Sequence, residues 1–334
     1  MAQADFQNIL VIHFGQLGDV VLGLPALKAV REHFSESKIT VLSGRPTQAF
    51  INLADVADDC IAVDRVALRD GKTARSVVDI LKLVKELRGR GFDLVIDLHS
   101  LYETNLLGYL SGARQRLYAN RDRRSLDRLS NFPIKPPRED RAEHHTERYL
   151  KVLAPLGIRD VSHEFRLAPP ADSRNAASKI LQENGLTGKR LVGLFLGAGH
   201  ESRRWQSAKF VETARELASD DINVAVLLGP EERDIRPGLQ DLFGQSAVVL
   251  DEVPLSIFLA LLAQMDVVVS GDTGPMHLAA VAGSAIVLLS QIGAPDIFHP
   301  LADELIILDS TPLSDISPDV VTNAVRELLS RRLA

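Results

Sequence analysis

Three short turns hold the residue types that could do chemistry, and each follows an apolar run. The first is GQLGD, residues 15–19, between ILVIHF and VVLGLPALKAV. A strand, a glycine turn and a helix in that order present free backbone N–H groups and the positive end of a helix dipole at one edge of a sheet. Gly15 and Gly18 let the chain turn sharply and let a ligand approach. Asp19 then has two readings. It can cap the helix, or its carboxylate can take the proton from a substrate hydroxyl.

The second turn is LGAGHESRRWQ, residues 196–206, where Gly197 and Gly199 flank an alanine and two arginines follow. Small residues admit a phosphate to the backbone, and the Arg203 guanidinium offers a fork that matches phosphate oxygens. Trp205 reads as a packing residue. The third turn, VVVSGDTGPMHLAAVAG, is the most informative. Residues 266–270 read as a strand, 271–274 as a tight turn, and Pro275 suits the start of a helix. The Thr273 hydroxyl, the Gly274 N–H and His277 would then surround a helix N-terminus, a setting suited to a diphosphate. Asp272 either caps that helix or binds sugar hydroxyls. Glu232, in LLGPEERD after another apolar run, is a further candidate at a strand end. His13 and His99 also fall at strand ends, where packing roles are the commoner outcome. None of the turns is a full GxGxxG, which argues against a dinucleotide cofactor. No D-x-D pair occurs and no His or carboxylate cluster has metal-ligand spacing, so neither metal nor cofactor is expected.

These turns need a scaffold that brings strand ends together. ILVIHF, KITVLSG, CIAVD and FDLVIDLHS read as strands, with helical periodicity in LPALKAVREHF and RSVVDILKLVKELRGRG between them. HHTERYLKVLAPLGI reads as one more helix. The Pro169-Pro170 pair marks a linker, after which the alternation restarts with RLVGLFLGAG, INVAVLLG, AVVLDEV, DVVVSGD and AIVLLS as strands. Such βαβ rhythm implies parallel sheets with helices on both faces. Two such halves form a cleft at the carboxyl ends of their strands, where ligands commonly bind. The final helix, from about residue 317, could stay with the second half or cross back onto the first.

Composition sets the outer limits. The chain has 334 residues, long enough for two cores, and its 46% apolar and 25% charged content is that of a folded globular protein. The single cysteine, Cys60, excludes an intrachain disulfide and fits a reducing compartment. The N-terminus lacks a basic export signal and the apolar runs fall short of the roughly 20 residues that span a bilayer, so a cytoplasmic location is expected. A net charge of −6 argues against nucleic acid as a partner. Residues 112–148 depart from that balance, with ten Lys or Arg against six Asp or Glu. That segment is either a solvated, ion-paired surface or a docking surface for an anionic substrate or a phosphate-bearing membrane face.

Taken together, GQLGDVVLGLPALKAV, SRRWQSAKFVETARELA, GPEE and SGDTGPMHLAAVAG resemble the family 9 glycosyltransferases, the family of the bacterial lipopolysaccharide heptosyltransferases. The likeness runs from about residue 8 to 290, with the motifs in the family's order. It implies an α/β GT-B fold, two facing Rossmann-like domains with a cleft between them. The first (1–168) would bind the acceptor and the second (169–312) the nucleotide-sugar, with 313–334 as the C-terminal helix. It implies inverting transfer of a heptose from ADP-heptose to a lipopolysaccharide core acceptor without metal. On this resemblance Asp19 falls at the family's base, and Gly197, Gly199, Arg203, Glu232, Asp272, Thr273, Gly274 and His277 fall on the donor side. Gly18, Arg121 and Arg124 are assigned to the anionic glycolipid acceptor, and peripheral contact with the inner membrane surface is left open. The chain departs from the family in having Arg203 where lysine is usual and SQIGAPD where a G-P-T-like turn is usual. Other nucleotide-sugar enzymes of the same fold, an epimerase among them, and a non-catalytic nucleotide-binding protein are the alternatives.

Overall fold

The computed structural model describes residues 6–64, 74–198, 204–229, 232 and 235–332. Two compact units divide the chain: Met1–Phe165 with Ile297–His299, and Arg166–Asp296 with Pro300–Ala334.

The first unit is built on a five-stranded sheet of order β3-β2-β1-β4-β5, from β1 (Asn8–His13), β2 (Lys38–Gly44), β3 (Asp59–Val63), β4 (Leu94–Asp97) and β5 (Gln115–Tyr118). Every pairing is parallel; Ile12 of β1 sits opposite Leu42 on one side and Asp97 on the other. The central strand must therefore be apolar on both faces, and Ile9, Leu10, Val11 and Ile12 are all fully buried. Each such side chain contributes on the order of 1.5–3 kcal/mol. Helices α1 (Leu17–His33) and α2 (Arg45–Ala54) touch each other, as do α3 (Ala74–Arg90) and α4 (Tyr102–Leu110). Right-handed crossovers account for this grouping, one pair on each face of the sheet. The stretch read as one helix from His144 ends sooner. It is α5 (His145–Val152) followed by a short 3-10 turn at Ala154–Leu156, and the Thr146 hydroxyl fastens it to α1 by donating to the Leu22 carbonyl at 2.9 Å.

The second unit holds a six-stranded parallel sheet of order β11-β10-β9-β6-β7-β8. Its strands are β6 (Leu191–Phe195), β7 (Asn223–Leu227), β8 (Val248–Leu250), β9 (Val267–Gly271), β10 (Ala285–Ser290) and β11 (Leu305–Asp309). The described helices are α6 (Ala171–Glu183), α7 (Ser207–Ser219), α8 (Leu239–Phe243), α9 (Leu255–Leu262), α10 (Gly274–Ala282) and α11 (Pro318–Arg331). The last helix, for which the sequence left a return to the first domain open, packs on α7 and on β9, β10 and β11. Its Val321, Val325 and Leu328 are fully buried in the second unit's core. Trp205 belongs to the same core. Its ring lies 4.8 Å from that of Phe210, and its indole N–H donates to the Ile316 carbonyl at 3.2 Å.

Counted within each unit, both sheets run 3-2-1-4-5, and the second adds a sixth strand beside the fifth. This is the doubly wound arrangement in which the order reverses between the first and fourth strands. Ligands of such sheets bind beyond the carboxyl ends at that switch point. In the first unit the switch lies between β1 and β4, and in the second between β6 and β9.

Candidate functional site

The turns selected from sequence emerge at these switch points. In the first unit β1 ends at His13, whose ring is fully buried and accepts the Gly15 N–H on Nδ1 at 3.2 Å. A side chain at Gly15 would meet Asp19 Cβ at 2.3 Å and His13 Cε1 at 2.6 Å, so only glycine lets the turn fold over the imidazole. Gly23, two turns into α1, closes the other side, since a Cβ there would lie 2.9 Å from His13 Nε2. The His99 ring lies 5.7 Å away and the Tyr149 ring 4.8 Å away. The two strand-end histidines are thus in one ring cluster, with His13 as its packed centre.

Helix α1 begins at Leu17 with Gln16 as its N-cap residue, so Gly18 stands in the first helical turn and not in the loop before it. Asp19 occupies the third helical position. Its Oδ2 accepts the Gln16 N–H at 2.8 Å, the reach-back half of a capping box. The carboxylate is half-buried. Burial raises the Tyr149 phenol above its ordinary range, and the Asp19 charge adds to the effect, which puts the two groups within electrostatic reach.

Behind the Tyr149 ring is a cluster that sequence reasoning did not assemble. Glu139 Oε1 accepts from Arg121 at 3.0 Å and from Arg148, so two guanidinium groups share one carboxylate, and the charge of Arg121 also acts on the nearby Asp97 carboxyl. Arg121, Glu139 and Arg148 have only 14%, 10% and 11% of their side chains exposed, which places these three charges in a poorly solvated setting. Arg148 also meets His145 Nε2 at 2.8 Å. Burial, with Arg148 and Arg121 nearby, pushes the His145 imidazole down to about 3. His145 is therefore neutral at physiological pH and accepts from the guanidinium. A small cavity whose lining includes Arg121, Glu139, Glu143, Arg148, Tyr149 and Lys151 opens beside the cluster, so both signs of charge face it. Arg124 is exposed, with φ at 57°, and stands outside it. The missed members, Arg148 and Tyr149, lie in a stretch whose helical periodicity was visible but whose inward face was not.

A second buried acid supports the arginine-bearing loop. Asp97 ends β4 with no exposure; its oxygens accept from the Ser100 N–H and the Asn105 amide, both at 2.7 Å. Burial raises its carboxyl to about 6, against the pull of those donors. Asn105 in turn accepts the Leu126 N–H at 2.7 Å and the Ser125 hydroxyl at 2.9 Å. The loop after β5 therefore hangs on Asp97 through one amide.

In the second unit Gly197 follows β6 and the Asp272–His277 stretch follows β9. Gly197 has a neighbour that its sequence context did not suggest. A Cβ there would fall 1.9 Å from Glu232 Oε1, so the space read as room for a phosphate is filled by the Glu232 carboxylate. Glu232 is 5% exposed, and its Oε2 accepts the Gly229 N–H at 2.7 Å. Gly199 and Arg203 lie outside the described residues.

Thr273 is the N-cap residue of α10, in extended backbone, yet its hydroxyl does not cap the helix. It lies 3.3 Å from the Ser270 hydroxyl and 3.5 Å from the Gly271 carbonyl, turned back toward the strand. Gly274 and Pro275 are the first two helical residues, and His277, 5% exposed, sits in the first turn. Asp272 is half-buried beside them. This terminus has the features of an anion site: a helix dipole, a glycine N–H and a histidine in the same turn. Among the described residues no three His, Cys, Asp or Glu side chains converge as metal ligands.

Fold and turns together define a protein of two Rossmann-like α/β domains, each with its candidate residues at the switch point of a parallel sheet. The family model of glycosyltransferase family 9 (heptosyltransferase) matches residues 80–320, and the chain belongs to that family. It is therefore a glycosyltransferase. A lipopolysaccharide heptosyltransferase 3 of Escherichia coli is 23% identical over 286 residues, 84% of this chain and 81% of the relative. Among solved structures, a glycosyl transferase family 9 protein from Veillonella parvula superposes with a TM-score of 0.85 at 23% identity, over 98% of this chain and 99% of that one. The E. coli heptosyltransferase WaaC with ADP-2-deoxy-2-fluoro heptose gives 0.78 at 19% identity, over 96% and 99%.

Proposed function

We propose that this protein transfers a heptose, with inversion, from an ADP-heptose donor to a lipopolysaccharide core acceptor. Family membership supplies the reaction class. The similarity to a relative named for lipopolysaccharide heptosyl transfer, and to a heptosyltransferase solved with an ADP-heptose analogue, supports the choice of sugar and acceptor. The observation that carries the reading is the α10 terminus, where the cap residue's hydroxyl is turned away from the helix and a glycine N–H, Thr273 and His277 gather at the positive end of the helix dipole, a setting suited to a diphosphate.

In this reading the acceptor oxygen bonds to the anomeric carbon as that carbon's bond to the diphosphate oxygen breaks. The hydroxyl proton goes to Asp19 and the electron pair leaves with ADP. The Thr273 hydroxyl, the Gly274 N–H and His277 stabilise the departing charge, joined by Arg203 and Gly199. Glu232, seated against Gly197, accepts hydroxyls of the nucleotide sugar, as does Asp272. Gly18 keeps the first turn of α1 open to the acceptor. Arg121, with Arg148 and the exposed Arg124, holds its acidic groups. The two guanidinium groups gathered at Glu139 support that role, because forked donors held in a poorly solvated setting match the oxygens of an anion.

A thermal-shift series with ADP, UDP, GDP, CDP and NAD tests the donor. Ligand at about 100 times Kd stabilises by roughly 2.7 kcal/mol, a shift of several degrees. ADP alone should produce it, and ADP release from ADP-heptose should require a lipopolysaccharide core acceptor. A shift with UDP or GDP in place of ADP would discard the heptose donor.

A further inference from the structure

Among the described residues of the first unit, most of the large apolar side chains left exposed lie on two neighbouring helices. Val77, Val78 and Leu81 on α3 are 54%, 47% and 62% exposed, and Tyr102, Leu106 and Tyr109 on α4 are 51%, 45% and 48% exposed. Spacings of four and three residues put Tyr102, Leu106 and Tyr109 in one stripe along α4, and Val77 and Leu81 in one stripe along α3. The two helices touch, and the Arg88 Nε donates to the Leu110 carbonyl at 2.9 Å. Consecutive crossovers of a parallel sheet run in the same direction, so stepping back from that contact sets Leu81 level with Tyr102 and Lys85 level with Leu106. The stripes form one surface.

Cations are interleaved with it. Lys82, Lys85 and Arg88 are exposed on α3, and Arg114 follows α4. The Arg116 guanidinium stands 5.3 Å over the Tyr109 ring. Against these are Asp79, 4.0 Å from Lys82, Asp93, 3.9 Å from Arg114, and Glu103; Glu86 is bound by Arg90 at 2.8 Å, which leaves Lys85 and Arg88 without an ion pair among the described residues. Exposed Arg123 continues the charge into the loop that Asn105 of α4 holds in place.

We infer that the α3–α4 face of the first unit docks on an anionic lipid surface. Charge complementarity decides between the occupants. A two-fold contact with a second copy would set this cationic face against itself, which is repulsive. A nucleic acid would match the cations but leave Val77, Leu81 and Leu106 without apolar partners. A bilayer interface matches both: acidic headgroups for the lysines and arginines, the acyl boundary for the aliphatic side chains, and the intermediate zone for tyrosine rings. The inference stands apart from the donor and acceptor assignments, since it is read without either.

The test is flotation of the full chain with vesicles of phosphatidylethanolamine and phosphatidylglycerol, against vesicles of phosphatidylcholine alone. The protein should float with the anionic vesicles, fail to float with the neutral ones, and lose binding as salt is raised. Replacing Lys82 and Lys85 together by Gln should weaken partitioning about 30-fold, at roughly fivefold per cation. Leu81→Asp combined with Leu106→Asp should abolish it. All four positions are exposed, so an unchanged melting temperature checks that the variants fold. Three results would overturn the inference: no flotation of the wild type, equal flotation of folded variants, or a concentration-dependent dimer that the leucine variant dissolves.

Discussion

Replacing Asp19 in two ways separates its two possible roles. As the structure stands, its Oδ2 accepts the Gln16 N–H at 2.8 Å. Asn presents an amide oxygen that can accept the same N–H but cannot take up a proton, whereas Ala removes both functions. Loss of such a helix-end contact costs about 1 kcal/mol, or roughly 2–4 °C in Tm for a domain of this size. Loss of a general base costs about 10²–10⁴ in kcat, equivalent to roughly 3–5 kcal/mol of transition-state stabilisation. Asp19→Asn should therefore melt within about a degree of wild type while its kcat falls by those two to four orders of magnitude. Asp19→Ala should show the same fall in kcat together with the lower Tm. The assay is ADP release from ADP-heptose, with differential scanning fluorimetry on the same preparations. ADP affinity should be equal in all three proteins, because the proposed donor residues belong to the other unit. If Asp19→Asn turned over within about threefold of wild type, the carboxylate would be a cap only, and the base assignment would fall.

Three further outcomes follow from the geometry. Asp97 binds its proton more tightly in the folded protein, at about 6 against 3.8 for a free carboxyl. Its protonated form therefore favours folding below about pH 4, and that advantage is lost as pH rises to 6. Wild type should lose up to about 3 kcal/mol relative to Asp97→Asn across that window, and a flat difference in Tm would contradict it. At Gly197 an added methyl would collide with Glu232 Oε1, so Gly197→Ala should displace that carboxylate. ADP binding should weaken about tenfold by calorimetry, with a stability cost of about 1–3 kcal/mol. Arg148→Lys removes the fork shared with Glu139 and should raise KM for an acidic acceptor about tenfold while leaving kcat and a neutral acceptor analogue little changed.

Much of this arrangement was legible in the sequence because a parallel sheet writes its strands as short apolar blocks. ILVIH, KITVLSG and VVVSG became β1, β2 and β9, and the glycine turns after two of them reached the switch points. Of the four edge strands, β3 and β8 were read and β5 and β11 were not. β5 has only four residues, QRLY, with two polar, and gave no apolar block, whereas β11 carries one, LIIL, in a strand that is only partly buried. Helices α2 and α4 also went unread, α4 because its nine residues expose Tyr102, Leu106 and Tyr109 where a polar face is expected. Within the site, single residues next to a glycine turn were found from local pattern. What pattern does not encode is a partner brought in from elsewhere in the fold. Glu232 on Gly197, Tyr149 on His13 and Arg148 on Glu139 each depend on two elements meeting, and only tertiary packing reveals them.

The strand order has a consequence during synthesis of the chain. β6 is the first strand of the second sheet to be made, yet it pairs with β9 as well as with β7. Between Phe195 and Val267 roughly 70 residues must leave the ribosome, about 4–14 s at ordinary elongation rates. Throughout that interval one side of β6, fully buried in the finished sheet, has unpaired backbone groups and bare valine and leucine side chains. β1 waits in the same way for β4. β1 and β6, which end in the 15–19 turn and the Gly197 turn, are thus the strands that wait longest for a partner in the nascent chain. Holdase chaperones, rather than the mature protein's stability, should set its yield when it is overproduced.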